Sequence, residues 1–407
     1  MSSSATVAAN QPPGRGRPRI ALDARGLLRL PRGMPQYVTR LAQLLPAAAP
    51  DLDFVLLVNR RDPYIENGID VDARIGQFAA SPNTRVIDVT VDGEMWWEQV
   101  AMPRAVRHAR ANLLHMPANR AALFSPVPQV VTLHDAMEWK YLSRVVTMPP
   151  DASPRLRAWV WRRRAYVYMN YAVAARRCRA IVTVSRTSAD DIQRLLRVPP
   201  NDVRAIHHGV DEDFVPAAGA MEKLSARHYC LMLGGDVFQK NPEGNVRLWA
   251  SLPAGVRTRY PLVVVGFAGT DASPLVRAVH DSGDAASVQI HRWVSRQQLI
   301  AFIQRAAVLL FLSREEGFGL PVLQAMACGT PVAASTARAV TEVAGDAAAL
   351  LVDAEQPELA GNALATLLSD ERIWAERRAA GLQRAAEFTW EKCVAQHIDV
   401  YRTCLAR

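Results

Sequence analysis

Short apolar runs alternate with amphipathic stretches along almost the whole chain. Arg19–Leu22, Phe54–Val58, Val86–Val89, Leu113–His115, Val130–Leu133 and Ile181–Val184 are strand-sized, and helical spacing lies between them, as in Tyr37, Val38, Leu41, Leu44 and Leu45. Apolarity on both faces of short strands, with helices between, predicts a parallel sheet wrapped by helices. Around His207–Met221 the periodicity lapses into Gly, Pro and Ala, which predicts a linker. The pattern then restarts at Tyr229–Leu233, Leu262–Val265, Val288–Ile290, Val308–Leu312 and Pro331–Ala334, and ends in helices from Pro357 and Trp390. Two successive α/β units of similar size are therefore expected. Ligands of such sheets bind at the carboxyl ends of strands, so the chemistry belongs in the loops that follow them, facing a cleft.

Composition narrows this picture. The 407 residues suit two or three domains, and 50% apolar with 21% charged residues is the balance of an ordinary globular protein. Met1–Arg19 has no apolar run of signal-peptide type, so it reads as a disordered arm over residues 1–18. Five cysteines without a C-x-x-C pair argue against a disulfide frame and for a reducing, cytoplasmic setting. The net charge of +9 leaves three acidic partners open: nucleic acid, an anionic membrane and a phosphorylated substrate. No nucleic-acid-binding module accompanies that charge. Only four cations are lysines (Lys140, Lys223, Lys240 and Lys392), so the position of a lysine carries more information than that of an arginine.

The most informative segment is Val308–Ser335, VLLFLSREEGFGLPVLQAMACGTPVAAS. A strand ends near Ser313, a loop with Glu316, Gly317, Phe318 and Gly319 follows, Pro321 opens a helix, and Gly329 closes it. Such a loop delivers a carboxylate and small residues to a helix N-terminus, where backbone N–H groups and the dipole favour a phosphate.

This segment resembles the signature of glycosyltransferase family 4, E-G-F-G-x-P-x-x-E followed by A-M-A-x-G-x-P-V. Further motifs are similar in the same order: LDARGLLRLPRGMPQY (Leu22–Tyr37), VVTLHD (Val130–Asp135), IVTVS (Ile181–Ser185), HHGVDEDFVP (His207–Pro216), LGGDVFQKN (Leu233–Asn241) and FTW (Phe388–Trp390). The resemblance implies the GT-B fold, two doubly wound Rossmann-like α/β domains facing a central cleft. It implies an acceptor domain over 19–206, a linker over 207–225, a donor domain over 226–388, and a terminal helix over 389–407 packing back on the first domain. The implied activity is retaining transfer of a hexose, with mannose favoured, from a GDP-, UDP- or dTDP-linked sugar to a glycan or lipid-linked acceptor in surface polysaccharide assembly. No cofactor, no metal and no nucleic acid are implied.

The same resemblance assigns roles. Glu316 meets the donor sugar hydroxyls, with Gly317, Phe318 and Gly319 around it, and Lys240 meets the diphosphate. Gln324 stands where the family has a second Glu for the ribose, and an amide forgoes the charge-assisted bonds of a carboxylate. Gln239 stands where an arginine is frequent. Gly33 brings backbone N–H groups to the donor phosphate. His134 and Asp135 end an apolar strand, and there a histidine can bond sugar hydroxyls while the carboxylate orients it or binds the acceptor.

The bland readings of these residues are a dipole-complementing acid, a solvated lysine, a turn glycine and a capped strand-end histidine. His207 and His208 read as structural. D-x-D pairs at Asp51/Asp53, Asp70/Asp72 and Asp211/Asp213 are chance matches rather than a metal site. The stretch Arg155–Arg179 interleaves eight arginines with Trp159, Trp161, Tyr166, Tyr168 and Tyr171, a pattern of either an amphipathic helix on an anionic membrane surface or a helix packed on the sheet. Two rivals share the expected fold: a nucleotide-sugar epimerase acting without acceptor, and a donor-binding pseudo-enzyme or activating subunit.

Overall fold

The computed structural model describes residues 16–30, 32–66, 69–145, 153–235, 237–267, 269 and 273–407. The arm expected over residues 1–18 thus lies outside the described residues up to position 15. The chain divides into two compact units: unit 1 is 1–208 with 390–407, and unit 2 is 209–389.

Unit 1 is built on seven strands: β1 (Arg19–Asp23), β2 (Asp53–Val58), β3 (Thr84–Asp88), β4 (Leu113–Met116), β5 (Gln129–Thr132), β6 (Ala180–Thr183) and β7 (Val203–Ala205). They form one sheet in the order β3-β2-β1-β4-β5-β6-β7, and every pairing is parallel. The strands β2, β4, β5 and β6 are buried along their whole length, which explains their largely apolar character. The terminal helix, Trp390–Ala406, contributes Trp390, Val394, Ile398 and Tyr401 to the same core as Leu41 and Leu45 of the entry helix, Met34–Ala48. The opposite face of the sheet is covered in part by the long helix Pro154–Arg177, through Val167, Tyr171 and Ala174.

Unit 2 is built on β8 (Tyr229–Leu233), β9 (Leu262–Val265), β10 (Val288–His291), β11 (Ala306–Phe311), β12 (Val332–Ser335) and β13 (Leu350–Val352). Their order is β10-β9-β8-β11-β12-β13, again all parallel. The order reverses at β8 and β11, and such switch points open a crevice at the carboxyl ends of the strands. Periodicity misses β7 and β13 for one reason. Each has three residues at a sheet edge with only one of them fully buried, too short and too wet to stand out.

Candidate donor and acceptor sites

The helix Leu320–Ala327 begins at Gly319, whose φ of 105° and ψ of 41° disfavour a side chain. Pro321 sits in its first turn, and Gly329, with φ 68°, accompanies the turn that ends it. No side chain caps this helix. Most other helices that follow loops of unit 2 are closed by one: Asn241, Ser273, Ser295 and Asp370 each accept a backbone N–H. An uncapped first turn keeps N–H groups and the positive end of the dipole available to an anion.

In front of that turn, Lys240 Nζ donates to Glu316 Oε1 at 2.7 Å. Both are partly buried, and the ammonium lies 5.1 Å from the centre of the Phe311 ring. The lysine stem reaches this position by passing over Gly234, where an added Cβ would meet its Cγ and Cδ at 3.4 Å. Gly234 and Lys240 follow β8, while Glu316 follows β11, so the two carboxyl ends at the switch point supply the ion pair. Gln324, one helical turn into Leu320–Ala327, is 7% exposed, and its side-chain amide makes no hydrogen bond among the described residues. A cation does stand beside Gln239. The Arg314 backbone N–H donates to Gln239 O, and its guanidinium covers Phe238 at 4.7 Å and pairs with Glu355 at 2.8 Å.

The Phe318 ring is buried and packs edge-on against Phe388 at 6.0 Å. It anchors the loop to the FTW motif, so any donor contact at 318 falls to the backbone. Trp293 went unnoticed in the sequence because a lone aromatic after a short strand has no spacing to mark it. It lies two residues beyond β10, is 63% exposed, and lies 4.0 Å from where a Cβ of Gly266 would be. That puts a flat apolar surface at the third carboxyl end in the row, suited to stacking on a planar ring.

Unit 1 positions its candidates differently. Gly33 caps the entry helix with φ 59° and ψ −129°, and a Cβ there would meet nothing within 4 Å. The glycine is required by backbone conformation rather than by space, and this helix too lacks a side-chain cap. His134 Nε2 donates to Pro117 O at 2.9 Å, and its backbone N–H donates to Asn119 Oδ1 at 2.7 Å. These bonds fix the residue, whereas Asp135 Oδ1 is engaged with the Met137 N–H at 2.8 Å. The His134 ring stacks on His208 at 5.7 Å, and Tyr37 lies edge-on to both at 5.0 Å. Burial lowers the His134 pKa to about 4. The ring is therefore neutral at pH 7, with Nδ1 as a hydrogen-bond acceptor, and serves better to receive a hydroxyl's hydrogen bond than to take its proton.

Beneath it runs a buried polar chain. His397 Nδ1 donates to Cys393 O at 2.8 Å, which leaves Nε2 to accept from Tyr37 OH at 2.7 Å. Tyr37 then accepts from Thr132 Oγ1 at 3.0 Å, Thr132 from His115 Nε2 at 2.8 Å, and His115 Nδ1 from Tyr401 OH at 2.7 Å. One carbonyl thus sets the donor and acceptor sense of the whole chain, which links the entry helix, β4, β5 and the terminal helix.

The D-x-D acids are committed elsewhere. Asp211 and Asp213 both pair with Arg296, Asp51 pairs with Arg402, and Asp70 caps a helix. No three His, Cys, Asp or Glu side chains gather as metal ligands among the described residues.

Two family models account for most of the chain: Glycosyltransferase Family 4 over residues 31–214 and Glycosyl transferases group 1 over residues 222–387. The chain belongs to this glycosyltransferase family. Among curated relatives it is similar to O-antigen chain mannosyltransferase B of Escherichia coli, 30% identical over 54% of this chain and 60% of that protein. The chain thus spans less than two thirds of that relative's length. Among solved structures, a sucrose-phosphate synthase from Thermosynechococcus elongatus matches with TM-score 0.68 and 19% identity, over 96% of this chain and 100% of that one. Anabaena HepE in complex with UDP and glucose matches with TM-score 0.67 and 14% identity, over 95% and 100%. At these identities the structural matches establish the GT-B glycosyltransferase fold, two Rossmann-like domains with parallel sheets.

Proposed function

We propose that the chain is a retaining, metal-independent hexosyltransferase that moves a sugar, mannose before others, from a nucleoside diphosphate to a glycan or lipid-linked acceptor in surface polysaccharide assembly. The observation that carries this reading is the Lys240–Glu316 pair in front of the uncapped, glycine-opened helix Leu320–Ala327. A compact ammonium and free N–H groups neutralise the departing diphosphate, and a carboxylate released from the lysine accepts hydrogen bonds from sugar hydroxyls. Gln324 takes the ribose hydroxyls, and Gly33 and Gly317–Gly319 offer backbone to phosphate and sugar. Unit 2 is the donor domain and unit 1 the acceptor domain, with His134 Nδ1 accepting from a sugar hydroxyl and Asp135 beside it.

In the transfer, the bond between the anomeric carbon and the diphosphate oxygen breaks while the acceptor oxygen attacks from the same face. The acceptor proton passes to the departing phosphate oxygen, so no side chain needs to act as the base. The mannosyltransferase name of the first relative supports mannose. The UDP and glucose named with HepE keep a UDP-linked donor in the test.

The test is a thermal-shift screen against GDP-, UDP- and dTDP-sugars, followed by product analysis with the ligand that raises the melting point most. An α-linked product made in EDTA is expected. An isomerised donor without acceptor, or binding without turnover across glycan and lipid-linked acceptors, overturns the reading.

A further inference from the structure

A cavity of about 310 Å³ opens between the terminal helix Trp390–Ala406 and the β7 edge of the unit 1 sheet. Its lining positions 396, 399, 400, 403, 404 and 407 recur at helical spacing, so it runs along one side of the terminal helix. The facing wall comes from Arg179 and Ala180 at the start of β6 and from Arg204, Ala205 and Ile206 in and just after β7. Arg407 at its far end approaches Asp202, the residue before β7, at 4.0 Å. The cavity therefore lies towards the amino ends of these strands, away from the loops that carry Gly33 and His134.

Three guanidiniums from three segments of the chain converge here. Arg179, Arg407 and Arg204 all act on the thiol of Cys404, whose pKa burial pushes up while the arginines pull it down. Arginine is common throughout this chain, so their number means little, but what they lack is informative. The Arg179 and Arg204 side chains make no hydrogen bond or ion pair among the described residues, and Arg407 has only the long contact to Asp202. Asp399, the one acidic residue of the lining, pairs with none of them. The end of a helix favours a cation, which accounts for Arg407 but not for the two arginines of the sheet. Like charges gathered round one hollow repel one another, and an anion between them removes that cost.

We infer that this cavity binds a hexose phosphate. The phosphate sits among Arg179, Arg204 and Arg407, whose planar forks present paired N–H donors to its oxygens. The rest of the lining suits the sugar: the Asp399 carboxylate accepts from hydroxyls, the Gln396 and Asn201 amides both donate and accept, and buried Ile206 and Val400 form an apolar floor. A space of about 310 Å³ stands at the lower end of the ~300–1,000 Å³ of small-molecule sites, which suits one sugar with its phosphate rather than a nucleotide sugar. The site is separate from the Lys240–Glu316 pair of unit 2. Its ligand braces the helix whose His397 and Tyr401 hold the buried polar chain beneath His134.

Isothermal calorimetry of the full chain with mannose 6-phosphate, inorganic phosphate and mannose tests this. The ester should bind about tenfold more tightly than inorganic phosphate and about a hundredfold more tightly than mannose. R179Q/R204Q should weaken the ester by about tenfold or more at an unchanged melting temperature, since neither side chain is tied into the fold. Asp399→Ala should weaken the ester and leave inorganic phosphate as it was, because the carboxylate serves the sugar. Lys240→Ala should change neither. Equal binding of mannose and its phosphate, or ester binding untouched by R179Q/R204Q, overturns the inference. So does ester binding lost in Lys240→Ala, which moves the ligand to unit 2, and inorganic phosphate as tight as the ester overturns the sugar half of it. None of these outcomes bears on sugar transfer, so the enzymatic reading stands or falls separately.

Discussion

The two units share a parallel architecture but keep their polar chemistry in different places. Unit 2 has an apolar sheet and carries Lys240, Glu316, Arg314 and Trp293 on loops at the carboxyl ends of its strands. Unit 1 builds polar groups into its interior: the chain from Tyr401 to Cys393, and a buried cluster in which Arg25 pairs with Asp23 at 2.7 Å and with Glu98 at 2.9 Å. Tyr166 of the long helix donates to the same Glu98. Altering a loop group leaves at most a partly exposed partner that water can reach, whereas altering an interior group leaves a fully buried one unpaired. Substitutions at the unit 2 site should therefore cost activity, and those in the unit 1 network should cost stability.

The largest effect that tests this division is at Glu316. Glu316→Gln keeps the shape and removes the charge, and kcat/KM should fall by about a hundredfold or more with Tm nearly unchanged. A comparable loss of Tm would make the residue structural. Next, Lys240→Ala should raise the calorimetric Kd for a nucleoside diphosphate by roughly tenfold to a hundredfold, while a nucleoside without phosphates binds as before. Equal losses for both ligands would break the assignment of the lysine to phosphate.

The unit 1 side of the comparison is read by pH. His134 and His397, each lowered to about 4 by burial, are neutral in the fold, whereas an unfolded histidine titrates near 6.5. The unfolded chain thus binds more protons below pH 6.5, and stability falls as pH drops from about 6.5 towards 4, by up to a few kcal/mol per histidine. Urea denaturation should show a lower midpoint at pH 5 than at pH 7, and a flat profile would contradict the buried neutral pair. Tyr37→Phe deletes the donor to His397 and the acceptor for Thr132, and should cost about 1–3 kcal/mol in the same assay. The smallest effect belongs to Gln324→Glu. On the proposed reading, a carboxylate at 324 gains charge-assisted bonds to the ribose hydroxyls and should tighten donor binding by roughly threefold, and weaker binding would show that the amide is matched to its ligand.

How far residues could be read without coordinates follows the same division. Glu316, Gly319, Pro321 and Gly329 were legible because one strand–loop–helix unit fixes them all within a short stretch. Lys240 was legible because lysine is rare in this chain. The unit 1 network was not, since positions 37, 115, 132, 397 and 401 share no spacing and meet only after the terminal helix returns to the first sheet. The burial of the Phe318 ring is not legible for a related reason: its partner Phe388 lies seventy residues on, and that contact turns the ring inward. The long helix was recognised as basic and aromatic, but only its packing separates the buried Tyr171 from the exposed Tyr168.

By itself, then, the sequence determined the order of the elements other than the edge strands β7 and β13, the two parallel sheets, the glycine-opened helix and the family. Those features depend on local periodicity, backbone conformation at single glycines and contiguous motifs. Tertiary structure decided the Lys240–Glu316 pairing, the inward turn of Phe318, the depressed pKa of His134 and His397, and which rings of the long helix face outward. Each of these depends on which distant side chain excludes water from which group, and that is settled when the chain packs.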